Sequence, residues 1–311
     1  MGIAKLIHPN LLFLYFSGYS SIVTFAIGIM LDYPYQTVFM KKVIALLILL
    51  LVGSADLPTS GAQEADSGGD SSTVRFRKVN NTAFQPGEVL KFRLHYGFIN
   101  AGIGELRIKE GTVRMANKDC WHIVATGRSI NSFDWFYKVR DTYESYIDKE
   151  AIMPWAFARD VYEGGYVFKD FYQFDHYQKK VTTKGVEHKV PLGVQDIVSS
   201  FYYARTIDFT NAQKGDIFEV PMFLDELHNF KFKFLGRFTL KTETGTYKVM
   251  KFMPVVMKGR VFKSDEDLIV YVSDDANKIP LEIKANILVG AVRMSLTGYE
   301  GLRNPMTSKI R

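Results

Sequence analysis

The sequence predicts a mainly β fold: a large curved antiparallel sheet or barrel-like meander, with one substantial helix over about 194–206. Three observations predict it. From Val74 onward apolar and polar residues alternate with a period of two, turn signals interrupt the alternation at short intervals, and one segment departs from that period. In residues 88–96, Leu90, Phe92, Leu94 and Tyr96 face one way and Lys91, Arg93 and His95 the other, as in a half-buried strand. The alternation returns at 105–109, 231–234 and 282–287. Turns are expected at Pro86-Gly87, Asn100-Ala101-Gly102, Gly164-Gly165, Lys214-Gly215-Asp216, Thr244-Gly245 and 274–277. The expected strands number about 12 to 14, more than an open sheet carries comfortably, so the sheet must curl or close.

The helical segment follows Pro191. Asp196 near its start and Arg205 near its end suit the helix dipole. Ile197, Phe201 and Ala204 form one stripe, with Val198, Tyr202 and Arg205 beside it. A helix apolar on most sides must pack against the sheet, so it is expected in or across the curved face, between two halves of the strand sequence.

The apolar residues are unevenly spread along the 311-residue chain. Residues 11–31 carry no charge and are long enough to span a bilayer. A second run begins at Met40 and has the parts of a secretory signal. Lys41 and Lys42 open it, an apolar stretch covers 43–53, and a polar segment ends in Ser60 and Ala62. Residues 40–62 are therefore expected to be a signal peptide, and 1–39 sequence wrongly included upstream of the true start. The alternative is a membrane segment at 11–31. Residues 63–73 read as a flexible linker, 74–303 as a single all-β domain and 304–311 as a tail. The only Cys, Cys120, lies far downstream, so a lipid-modified N-terminus at the signal and a disulfide framework are both unavailable.

Removing residues 1–62 takes away three basic and two acidic side chains, so the formal charge moves only from +6 to +5. The basic residues at 75–78, 231–233 and 248–251 are interspersed, which puts them on solvated strand faces. Export makes nucleic acid an improbable partner. An anionic envelope surface is the alternative partner for this basicity.

Leu94-His95-Tyr96 followed by Ala101-Gly102, and Val139-Arg140-Asp141-Thr142-Tyr143-Glu144-Ser145-Tyr146-Ile147, resemble the first half of the bacterial family called domain of unknown function 3108. Gln195-Asp196 with residues 199–205, and Ile279-Pro280 ahead of Val289-Gly290, resemble its second half. The resemblance covers about residues 76–302 and implies an extracytoplasmic location. It implies no reaction and carries over no catalytic or binding residue. Curved antiparallel sheets with a helix also occur in lipoprotein carriers, a likeness of fold alone.

No constellation declares a chemistry. His95, His122, His176, His188 and His228 lack the i, i+2 or i, i+4 spacing that converges two imidazoles on a metal, so no metal and no cofactor is expected. Ser199 and Ser200 sit within the helix, with no nucleophile elbow around them. Cys120 reads as a small buried hydrophobe, or alternatively as a thiol beside His122. Asp265-Glu266-Asp267 and Asp274-Asp275 read as acidic loop tips. Arg140-Asp141 and Arg205 are expected to form a charge-assisted pair across the sheet–helix contact, and Asp196 to cap the helix. These four are assigned structural roles.

The aromatic residues are the one compositional feature suited to binding. Trp135, Phe136, Phe171, Phe174, Phe232 and Phe234 are the candidate apolar lining. The sequence thus predicts an exported, non-catalytic envelope protein that binds or carries an apolar or lipid-like component within the curved sheet. A structural or interaction module that engages another envelope protein is the second reading. A hydrolase without a recognisable motif is the third.

Overall fold

Among the described residues, period-two alternation builds fifteen strands into one antiparallel sheet. The computed structural model describes residues 74–255, 267–286 and 290–310. The expectations for residues 1–73, and for Asp265 and Glu266, lie outside the described residues. The first nine strands are β1 (Val89–Tyr96), β2 (Ile99–Ile108), β3 (Val113–Met115), β4 (Lys118–Ser129), β5 (Val139–Asp148), β6 (Pro154–Glu163), β7 (Tyr166–Asp175), β8 (Lys180–Thr183) and β9 (Val186–Lys189). The remaining six are β10 (Ile217–Leu224), β11 (Glu226–Thr242), β12 (Gly245–Pro254), β13 (Leu268–Ser273), β14 (Pro280–Asn286) and β15 (Ala291–Glu300). A one-turn helix, α1 (Asn131–Asp134), sits between β4 and β5, and α2 (Ile197–Ala204) between β9 and β10.

In space the order is β10-β11-β12-β13-β14-β15-β1-β2-β4-β5-β6-β7-β8-β9, with β3 on β4. The chain enters mid-sheet at β1, meanders outward to β9, crosses by α2 to the opposite edge and meanders back. One long-range ladder, β1 with β15, joins the two halves; within it Phe92 faces Leu296. The sheet is curved and not closed. Its edges approach through one parallel bridge, where Gln195 N–H donates to the Pro221 carbonyl and Phe223 N–H to the Gln195 carbonyl, both at 2.8 Å.

α2 is shorter than the expected 194–206, for a local reason. The Asp196 carboxylate accepts from the backbone of Val198 and Ser199, and the Ser199 hydroxyl accepts from Asp196 N–H at 2.8 Å, a reciprocal cap that fixes the start. After Ala204 the backbone tightens into turns at Thr206 and Ile207. The concave face of the first half is filled by Ile123, Phe157, Tyr172 and Phe174, with Phe84 and Tyr202 packed against them. The concave face of the second half carries Val220, Phe232, Phe234, Met250 and Phe252, with Phe209 packed onto them from beyond α2.

Two sequence expectations are corrected here. Asn100-Ala101-Gly102 lies inside β2, and the turn falls instead at Gly97, whose φ is 57°. Gly102 serves close approach: a Cβ there would stand 2.7 Å from the Arg128 carbonyl oxygen on β4. Residues 75–78 form no strand. Arg77 is half-buried, donates to the carbonyls of Ala151 (2.9 Å) and Ile152 (3.1 Å), and lies over the Tyr203 ring at 4.0 Å.

Candidate functional site

Antiparallel register aligns one apolar row across the second half: Phe234 opposite Phe252, Phe252 opposite Val270, and Val270 opposite Ile283. α2 crosses this concave row without filling it. Between them lies a cleft of about 90 Å³. Phe201 and Ala204 of α2, with Phe209 just beyond it, form one wall. Phe230, Phe232, Phe252, Pro254, Val270, Val272, Pro280 and Ile283 supply the sheet side. The helix stripe of Phe201 and Ala204 exists because residues three apart share a helix face.

One end of the cleft is cationic, with Arg205 and Lys278. Arg205 is buried and forks onto Glu88 at 2.5 and 2.8 Å, while also donating to the carbonyls of Asn277 (3.0 Å) and Ala83 (3.3 Å). Burial works against its charge, but the Glu88 carboxylate outweighs that and raises its pKa. Lys278 donates to the Arg205 carbonyl at 3.2 Å, and burial pulls its pKa down.

The expected pairing of Arg205 with Arg140-Asp141 does not form. Arg140 points to the end of the sheet and forks onto Asp134 at 2.5 and 3.1 Å. Asp141 alternates onto the opposite, inward face of β5, where it accepts from Tyr162 N–H at 3.1 Å and shares a hydrogen bond with Glu163. Burial pushes the Asp141 carboxyl up to about 6. Asp196 is also buried, accepts from the Ser145 hydroxyl at 2.5 Å, and is raised by burial to about 6.

Of the six candidate lining residues, Phe232 alone borders the cleft, and Phe234 packs in the cluster behind it. Phe174 is buried in the filled first half. Phe171 is 53% exposed, because Tyr172 and Phe174 take the inward positions of β7 and period two sends Phe171 outward. Trp135 is 80% exposed in the connection after α1, with Phe136 half-buried beside it at a ring separation of 6.0 Å. Cys120 is fully buried against Ala151, Met153 and Trp155, and burial pushes its thiol up to about 12. His122 bonds Glu144 at 2.5 Å and stacks on Tyr146. Ser200 donates back to the Ile197 carbonyl at 2.9 Å.

The model of one family, DUF3108, described as a protein of unknown function, matches residues 91–297. The chain belongs to this family. A comparison with curated proteins finds no match. Among solved structures, the DUF3108 chain is similar to a β-barrel-like protein of domain of unknown function 1849 from Brucella abortus. Identity is 10%, covering 72% of this chain and 98% of that one, at a TM-score of 0.42. A hypothetical protein, CT021, from Chlamydia trachomatis is 10% identical over 70% of this chain and 88% of its own, at a TM-score of 0.31. A candidate lipoprotein from Parabacteroides distasonis is 11% identical over 73% and 100% respectively, at 0.30. Likeness at this level assigns the DUF3108 chain no activity, and the family description indicates no catalytic class.

Sequence reasoning missed most of the DUF3108 cleft. Phe201, Phe252, Val270 and Ile283 come from four elements whose convergence depends on strand register. Parity along β11 was the available signal: Phe230, Phe232 and Phe234 alternate onto one face, and that face is the one that lines the cleft.

Proposed function

We propose that the protein is an exported, non-catalytic envelope component that holds an apolar group in the cleft between α2 and strands β11–β14. The observation that carries this reading is a cleft walled by phenylalanine, valine, isoleucine and proline, with charge confined to the Arg205–Lys278 end. Its size limits the occupant. The cleft holds about 90 Å³, whereas pockets for drug-sized ligands hold about 300–1,000 Å³. The cleft therefore takes one ring or the end of an acyl chain, with the rest of the ligand outside it. Export is supported by the signal pattern at 40–62 and by the resemblance that implies an extracytoplasmic location.

The test is native mass spectrometry after mild purification from the source envelope, with titration of an alkyl-bearing fluorescent probe. The expected result is a copurified apolar mass and a saturable probe response, both weakened in Ala204→Phe, which fills the cleft from α2. Burial of one ring or chain end contributes about 1.5–3 kcal/mol, so the variant weakens probe binding about ten- to a hundredfold. Wild-type protein with neither copurified mass nor probe response would sink the reading. The filled interior of the first half favours a second reading, an interaction module of the envelope. Crosslinking that recovers one stoichiometric protein partner would support it.

A further inference from the structure

In an antiparallel meander alternate connections fall at the same end of the sheet, so the β1–β2, β4–β5 and β6–β7 connections share one rim. They follow one another along it, each two strand spacings or about 10 Å from the last. This rim carries bare apolar side chains. Phe98 at the β1–β2 turn is 92% exposed, and Trp135 in the β4–β5 connection is 80% exposed. Ile99, Tyr166 and Val167 beside these turns are exposed as well. At the opposite end, the β5–β6 connection tucks Ala151, Ile152 and Met153 inside. Single exposed apolar residues are ordinary, but their collection on successive tips of one rim is not.

The charge just below these tips is positive. Arg128, Lys138 and Arg293 have no carboxylate within ion-pair distance among the described residues; Arg293 lies 3.2 Å from the His95 ring, and Lys138 lies over the Tyr162 ring. The nearby carboxylates are engaged, Asp134 by Arg140 and Asp160 by Lys169.

We propose that this rim docks on an anionic phospholipid bilayer, with Phe98 and Trp135 inserted and Arg128, Lys138 and Arg293 at headgroup level. The layering argues for lipid over a protein partner. The cations sit one to three residues from the turns, roughly 3–10 Å down the strands, which matches the depth to which interfacial apolar groups enter a bilayer. Trp suits the headgroup boundary, and Lys and Arg near an anionic leaflet add electrostatic attraction. Phe230 and Pro254, which border the cleft, lie toward the same end of β11 and β12. Docking therefore turns that end of the cleft toward the bilayer. Docking through these tips is independent of what the cleft holds.

The test uses the full chain and a readout confined to the rim. Vesicles of brominated phosphatidylcholine, with or without about 30% phosphatidylglycerol, quench only tryptophan that enters the acyl region. Trp121 and Trp155 serve as internal references, since Trp155 is buried and Trp121 half-buried. The expected result is saturable quenching on the anionic vesicles, most of it absent in Trp135→Phe. The triple reversal Arg128→Glu/Lys138→Glu/Arg293→Glu raises the lipid needed for half-quenching by about tenfold or more, at an unchanged melting temperature. Quenching that persists in Trp135→Phe, no quenching at saturating lipid, or equal quenching without phosphatidylglycerol each overturns the proposal. A photo-crosslinker at position 135 that captures one stoichiometric protein in place of lipid overturns it too.

Discussion

Replacing Arg205 by Met while Glu88 remains leaves a carboxylate that is 0% exposed without its partner. The guanidinium makes four contacts, two to Glu88 and two to the carbonyls of Asn277 and Ala83, and a Met side chain makes none of them. Removing one member of a buried pair costs about 3–5 kcal/mol. For a domain of this size each kcal/mol moves the melting temperature by about 2–4 °C, so Arg205→Met lowers it by roughly 6–20 °C. The pair itself is worth far less than that loss. A double variant, Glu88→Leu with Arg205→Met, takes both charges out of the interior and recovers most of the stability. Thermal and urea unfolding of the wild type, both single variants and the double closes the cycle. A loss below about 1 kcal/mol for Arg205→Met, or a double variant as unstable as the two singles combined, would refute the assignment of Arg205 as an anchor.

Asp141→Asn is expected to stabilise the protein at neutral pH. The carboxyl titrates near 3.9 when unfolded and at about 6 in the fold, so the native state binds the extra proton between those values. Stability therefore falls as pH rises from about 4 to about 6; the variant flattens that slope and gains about 1–3 kcal/mol above it, measured by urea unfolding across pH. Phe174→Ala is expected to cost about 3–5 kcal/mol and Phe171→Ala less than about 1, a contrast in melting temperature that reads their opposite faces on β7.

The strands were legible because a half-buried sheet imposes period two on each strand separately, and that pattern needs no knowledge of neighbours. Leu90, Phe92 and Leu94 face inward on β1, and the Asp196 cap is readable from three adjacent residues. Errors arose where a signal has two physical meanings. Gly102 reads as a turn residue, yet its missing Cβ admits the β4 backbone. Trp135, Phe136, Phe171 and Phe174 read as lining by composition, although parity already separated Phe171 from Phe174. The partner of Arg205 was not legible at all. Glu88 lies 117 residues away and precedes β1 without any pattern of its own, so only the fold brings the two together.

What must move for the cleft to admit more than a chain end follows from how each wall is tied. α2 belongs mechanically to the first half: Asp196 bonds Ser145 on β5, and Arg205 bonds Glu88 beside β1. Pulling the helix away leaves Glu88 buried without its partner, about 3–5 kcal/mol, and breaks the Asp196–Ser145 hydrogen bond, about 0.5–1.5 kcal/mol. The opposite wall is tied at its free edge as well. There β10 is bridged by the two Gln195 hydrogen bonds, and the β10–β11 tip is held by Asp225, which meets Arg159 at 2.5 Å and Tyr172 at 2.9 Å. Two backbone bonds contribute about 0.5–1.5 kcal/mol each, and Met222, Phe223 and Leu224 at the end of β10 are buried in the first-half core at about 1.5–3 kcal/mol each, so neither wall swings open cheaply and the cleft keeps to a ring or chain end. Asp225 is 59% exposed and its substitution leaves the core intact. Asp225→Ala is therefore expected to leave association of an alkyl probe unchanged within about twofold while lowering the melting temperature by only a few degrees. A variant that binds the probe several-fold faster would place a moving wall on β10–β11 and refute the anchoring of its edge in the first-half core.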